Sequence, residues 1–143
     1  MSFFRSIQSY PLLSDVLLFV VRVFIGFAMI SHGFPKLMRL AGDEEISFYN
    51  FLGLGEYTTL VIAVIAEFVC SIFIILGLFT RFAISILIIT MSVIAFMVHA
   101  GDPFSDKEMS LIYLSVYLLL FAFGPGKFSV DGMISSRRER SAW

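Results

Sequence analysis

Two ionisable side chains stand inside apolar stretches where charge is expensive: Arg22 within 14–34 and Glu67 within 57–78. Each costs at least about 2.5–3.5 kcal/mol on insertion scales, so each is expected to face the protein interior and find a partner. At about 1.5 Å of rise per residue, Arg22 lies about 12 Å in from Ser14 and Glu67 about 16 Å in from Leu78. Both distances run from the same membrane face, which predicts an Arg22–Glu67 pair in one layer. Two chemistries fit such a pair. It is a structural lock between two helices, or Glu67 handles protons beside a ligand.

A second group collects where helices should end on the opposite face. His32 and Lys36 follow the first apolar stretch, His99 closes the third, and Glu108 opens the fourth. A histidine titrates near neutral pH, so His32 and His99 can relay protons or donate a hydrogen bond to a quinone carbonyl, with Lys36 as a further donor. The plainer reading is that polar groups belong at an interface. No close histidine or carboxylate spacing supports a metal site, and two histidines could hold a haem only by facing each other.

The elements that must position these groups are membrane spans. The chain has 143 residues, of which 59% are hydrophobic, 17 are Phe and only 15% are charged. Soluble domains carry about a quarter charged residues, so a bilayer is the solvent that fits. A span needs about 20 mostly apolar residues, and four stretches qualify: 14–34, 57–78, 80–99 and 107–123. The fold class expected is therefore an all-α, four-transmembrane-helix bundle in a single domain, 1–143, with a tail at 127–143. The first segment lacks a cleavage site and should stay in the mature protein. Ser14 with Asp15 is expected to cap the first helix, Pro35 to end it, and Ser105-Asp106-Lys107-Glu108 to form a capping box opening the fourth.

Lys and Arg set the direction. Arg5, Arg81, Lys127, Arg137, Arg138 and Arg140 lie on one side, against Lys36, Arg39 and Lys107 on the other. Both termini are expected to be cytoplasmic, and the Arg-rich end suits anionic lipid. Small and polar stripes predict close helix packing: Arg22, Gly26 and Gly33 on the first helix, Ala63, Ala66, Glu67, Cys70 and Ser71 on the second, Ser85, Ser92 and His99 on the third. The lone Cys70 excludes a disulfide framework, and nothing points to nucleic acid.

Arg22-x3-Gly26-x5-His32-Gly33-x2-Lys36, Glu67, the turn Leu76-Gly77-Leu78-Phe79-Thr80-Arg81, and Gly124-Pro125-Gly126-x2-Ser129-x-Asp131 together resemble the DoxX family. The match runs roughly from Asp15 to Asp131. Its members are small four-helix bacterial inner-membrane proteins, including the membrane subunit of thiosulfate:quinone oxidoreductase and proteins tied to oxidative stress. The resemblance implies a redox setting, a quinone and an oxidoreductase partner. It would carry Arg22, His32, Lys36, Glu67, Arg81, Ser129 and Asp131 over as family positions, with Arg81 and Asp131 tying the tail to the turn between the second and third spans. No larger subunit-like region accompanies them, so sulfur chemistry would need another polypeptide. No haem, flavin or iron–sulfur motif is visible. The leading expectation is a quinone-interacting membrane component with Arg22, His32, Lys36 and His99 around the ligand. The alternatives are a non-catalytic anchor or assembly subunit, and a small-solute or lipid carrier working as a homo-oligomer.

Overall fold

The computed structural model describes residues 11–43 and 45–141, and it is all-helical. Arg5, counted in the charge balance, and the side chains of Arg138 and Arg140 lie outside the described residues. Helix α1 spans Pro11–Ala41, α2 Glu56–Leu76 and α3 Thr80–Val98, α4 Phe104–Phe123, and α5 Val130–Ser141. Helix α1 packs along α2, α2 on α3, α3 on α4, and α4 returns to touch α1. Ile25, Met29, Cys70, Ile74, Ile84, Leu87, Met91, Tyr113 and Tyr117 fill the centre. Phe24, Phe27, Phe82, Phe96 and Phe123 stay exposed, the pattern of a chain whose solvent is lipid.

Among the described residues, α1, α2 and α3 are long and apolar enough to cross a membrane. Helix α4 has the length, but its first turns carry Asp106, Lys107 and Glu108.

Three helix ends differ from expectation. Helix α1 runs through Pro35 to Ala41, because α1 is held to α2 on both sides of the proline, by the Gly33 backbone before it and the Lys36 side chain after it. A Cβ on Gly33 would stand 2.8 Å from the Phe68 nitrogen and 2.9 Å from the Glu67 carbonyl carbon. Only glycine allows that approach, and the packing it permits outweighs the one hydrogen bond that proline forfeits. Ser14 and Asp15 lie inside α1, and Asp15 accepts a bond from the Lys127 backbone instead (3.2 Å). The expected capping box is not formed either: α4 begins after Pro103, and Ser105 donates to Asp106 (3.0 Å).

The packing faces follow the small residues in two helices of three. Gly26 and Gly33 meet α2, whose Ala66, Glu67, Cys70 and Ser71 are buried. On α3 the core face is Ala83, Ile84, Leu87, Met91 and Ala95. Ser85 and Ser92 lie off it and bond back to the Arg81 and Ile88 carbonyls at 2.8 Å each. A serine hydroxyl satisfied within its own helix needs no neighbour, so the seven-residue spacing carried no packing information.

Helices α2 and α3 each contain one wider, π-helical turn, Ile65–Val69 and Ile94–Val98. Such turns recur at functional sites, since the extra residue re-aims the side chains around it. The first holds Glu67 and the second ends directly before His99.

Candidate functional site

Arg22 and Glu67 are both 1% exposed, as their cost in a membrane requires, but they are not partners. Arg22 donates from Nη1 to the Pro125 carbonyl and from Nη2 to the Phe128 carbonyl, the latter at 2.5 Å. Glu67 Oε1 instead receives Lys36 Nζ, with which it forms an ion pair. The expected common layer fails because α1 is shifted along α2. A Cβ on Gly77 would lie 3.0 Å from Arg22 Cζ, so Arg22 is level with the end of α2, while Gly33 is level with Glu67.

This sorting produces two separate polar clusters. The first is a knot around the turn between α2 and α3. Gly77 sits at φ +70°, where its missing Cβ leaves space for Ser129. Asp131 accepts from Phe79 N (3.0 Å), Thr80 N (2.8 Å) and Thr80 Oγ1 (2.8 Å), so it caps α3 from a distant part of the chain. Asp131 N donates to the Gly77 carbonyl (2.9 Å), and Ser129 Oγ to the Gly126 carbonyl (2.6 Å). The expected Arg81–Asp131 tie is not made: Arg81 lies over the Phe121 ring, 6.0 Å from its centroid. The tail is bound to the turn, but through Asp131 and Arg22.

The second cluster surrounds Lys36 and Glu67. Lys36 reaches back toward α2 from beyond Pro35, with its ammonium 5.8 Å from the centre of the Phe48 ring. Two cavities flank the pair. One, of ≈180 Å³, lies between the helices and is lined by His32, Lys36, Glu67, Ser110 and Tyr113 together with methionines. The other, of ≈310 Å³, is mainly apolar, with Phe48, Phe51, Ile62, Ile89 and Val93 on its walls and His99 among its lining residues. Lys36, Glu67 and Ile94 line both, so they form the partition.

The loop between α1 and α2 contributes Phe48 and Phe51 to the apolar cavity. It is held to the start of α2 by its backbone: Phe48 N donates to Glu56 Oε2 (3.0 Å) and Phe51 N to Thr59 Oγ1 (3.1 Å). Leu52 takes a left-handed conformation at φ +51°, a strained choice for a leucine.

Of the expected site residues, His32, Lys36, Glu67 and His99 gather at these two cavities. His32 meets Tyr113 edge to face, with ring centres 5.7 Å apart, and His99 Nδ1 bonds Asp102 at 2.8 Å. Arg22 belongs to the opposite cluster and lines neither cavity. Glu108 is exposed and lines neither cavity. Sequence reasoning missed Ser110, Tyr113 and the buried Tyr117. Their spacing of three and four residues was the available signal, because it marks the inward stripe of α4.

Long apolar helices, a lipid-suited exterior and buried ionisable groups define a multi-pass integral membrane protein. The chain belongs to the DoxX family, whose model matches residues 17–100. It is 31% identical over 118 residues to an uncharacterized protein of Haemophilus influenzae, which covers 78% of this chain and 85% of the relative. It is 30% identical over 128 residues to the inner membrane protein YphA of Escherichia coli, covering 81% and 89%. No solved structure matches the chain significantly. With such relatives and several apolar spans, the protein resides in the bacterial inner membrane. The family match ends before α4, so Ser110, Tyr113 and the Arg22–Asp131 knot's tail half lie beyond it.

Proposed function

We propose that this protein is a quinone-interacting component of a membrane oxidoreductase or redox-stress system, binding the quinone ring in the ≈310 Å³ apolar cavity. The observation that carries the reading is the Lys36–Glu67 pair in the wall of that cavity. A quinone ring is flat and apolar, with two carbonyl acceptors. Phe48, Phe51 and the aliphatic side chains of α2 and α3 suit its body, and Lys36 and His99 supply donors at two points of the lining. When bound, a quinone takes up two electrons and two protons. The electrons would come from a partner oxidoreductase. Lys36 would orient one carbonyl oxygen and Glu67 would hold the proton that it receives, and His99 would stand at the other oxygen to pass on the second proton.

The proposal includes the membrane frame. All four helices α1–α4 cross, with both termini on the cytoplasmic side, as the Lys and Arg distribution favours. The Arg22–Asp131 knot then lies toward the cytoplasm and the Lys36–Glu67 site in the outer half.

The test is a binding titration of a short-tailed quinone with the full chain in nanodiscs. Lys36→Met and Ala63→Phe, the latter filling the apolar cavity, should each weaken binding at least tenfold. If no quinone binds, the non-catalytic anchor takes its place.

A further inference from the structure

We infer that the ≈180 Å³ cavity is a water-filled compartment that delivers protons to Glu67 from the membrane surface. The inference rests on the quinone reading only for where the proton goes, not for where it comes from.

Whether a cavity holds water depends on its volume and on the polar groups that face it. Liquid water takes about 30 Å³ per molecule, and an internal water needs two to four polar partners. At ≈180 Å³ the cavity has room for several, and His32, Lys36, Glu67, Ser110 and Tyr113 offer partners around it. Tyr117, stacked 6.1 Å from Tyr113 and fully buried, has a hydroxyl that no group among the described residues bonds. A buried hydroxyl of that kind is normally satisfied by internal water. The neighbouring ≈310 Å³ cavity adds Thr59, Thr90 and His99 to the shared pair but has far more hydrocarbon on its walls, so it is the drier of the two and suits an apolar ligand.

Glu67 therefore stands between a wet side and a dry side, and with Lys36 and Ile94 it is the wall between them. His32 lines the wet side at the level of Glu67, in edge-to-face contact with Tyr113, and the mouth lies at Met109, exposed and within the first two turns of α4. The groups facing Glu67 are Lys36 and His32 from α1, Cys70 on its own helix, Tyr113 and Tyr117 from α4, and His99 across the dry cavity from α3. Among these, Lys36 alone bonds the carboxylate directly.

The transfer has two steps. A hydrated proton in the wet cavity loses its O–H bond as one forms on a Glu67 carboxyl oxygen, which neutralises the partner of Lys36. That O–H bond then breaks as an acceptor oxygen in the dry cavity takes the proton, and the carboxylate pairs with Lys36 again. No electrons move in either step.

The test needs no quinone, so its failure leaves the binding proposal standing and the reverse also holds. The full chain in nanodiscs is followed by time-resolved infrared spectroscopy after an acid pH jump, and the Glu67 carboxyl band is identified by its loss in Glu67→Gln. Ser110→Leu, which fills the wet cavity, should slow the appearance of that band at least tenfold. Ala63→Phe, which fills the dry cavity, should change it less than twofold. Met91→Phe fills the same wet cavity from α3 and replaces Ser110→Leu if that variant does not fold. Equal rates in the two classes of variant would overturn the inference, as would a Glu67 band that never appears in the wild-type protein.

Discussion

Lys36 and Glu67 are ion partners across α1 and α2, whereas Arg22, about four helical turns earlier on α1, bonds two backbone carbonyls of the C-terminal segment. The two buried charges that look like a pair in the sequence thus serve two separate clusters, one at the end of α2 and one at its middle.

A double-mutant cycle in detergent separates these arrangements. Removing one partner of a buried pair costs about 3–5 kcal/mol, and Glu67→Gln should fall at the lower end because the Lys36 side chain keeps 26% exposure and can reach water. Lys36→Met with Glu67→Leu should show a coupling energy above about 0.5 kcal/mol, while Arg22→Met with Glu67→Leu should be additive within that margin. Coupling in the Arg22 cycle alone would contradict the structure.

Asp131→Ala should lower stability by about 1–2 kcal/mol, the cost of losing a good helix N-cap, because Asp131 accepts three bonds at the start of α3. Arg81→Ala should have a much smaller effect, since Arg81 is exposed and makes no ion pair with Asp131. Thermal unfolding of the two variants decides the matter. Equal losses would mean that Arg81 and Asp131 act together.

Gly33→Ala should cost about 1–3 kcal/mol through overpacking, because the added Cβ meets backbone atoms of the π-helical turn that carries Glu67. It should also weaken quinone binding by displacing Lys36 from Glu67. A variant as stable as wild type would show that α1 and α2 can separate at no cost.

The helices were legible because apolar length alone defines a span, and α2 and α3 begin and end close to where the apolar stretches do. The end of α1 was not legible: Pro35 is a local stop signal, and only the contact of Gly33 with α2 overrides it. Glu67, Lys36, His32 and His99 were recognisable one by one as ionisable groups in or near spans. Their partners were not, because pairing depends on how far α1 slides along α2. The stretch from Ser14 gave the wrong zero for that slide, since the chain is already helical at Pro11 and Arg22 sits at the level of Gly77. Ser110, Tyr113 and Tyr117 went unnoticed because tyrosines and a serine in an apolar helix carry no charge to draw attention.

Membrane topology has its own check. A reporter fused after Trp143 should read cytoplasmic, and one inserted near Glu45 should read external. The reverse pattern would move the Lys36–Glu67 site to the cytoplasmic half.

The central claim is that a quinone occupies the apolar cavity beside Lys36 and Glu67. A photoreactive quinone analogue, cross-linked to the full chain in nanodiscs and mapped by mass spectrometry, tests it most directly. The account predicts adducts on residues 48–63 and 89–99, suppressed by excess unlabelled quinone and lost in Lys36→Met. Adducts confined to the lipid-facing side of α1, around Phe24 and Phe27, and insensitive to competitor would contradict it.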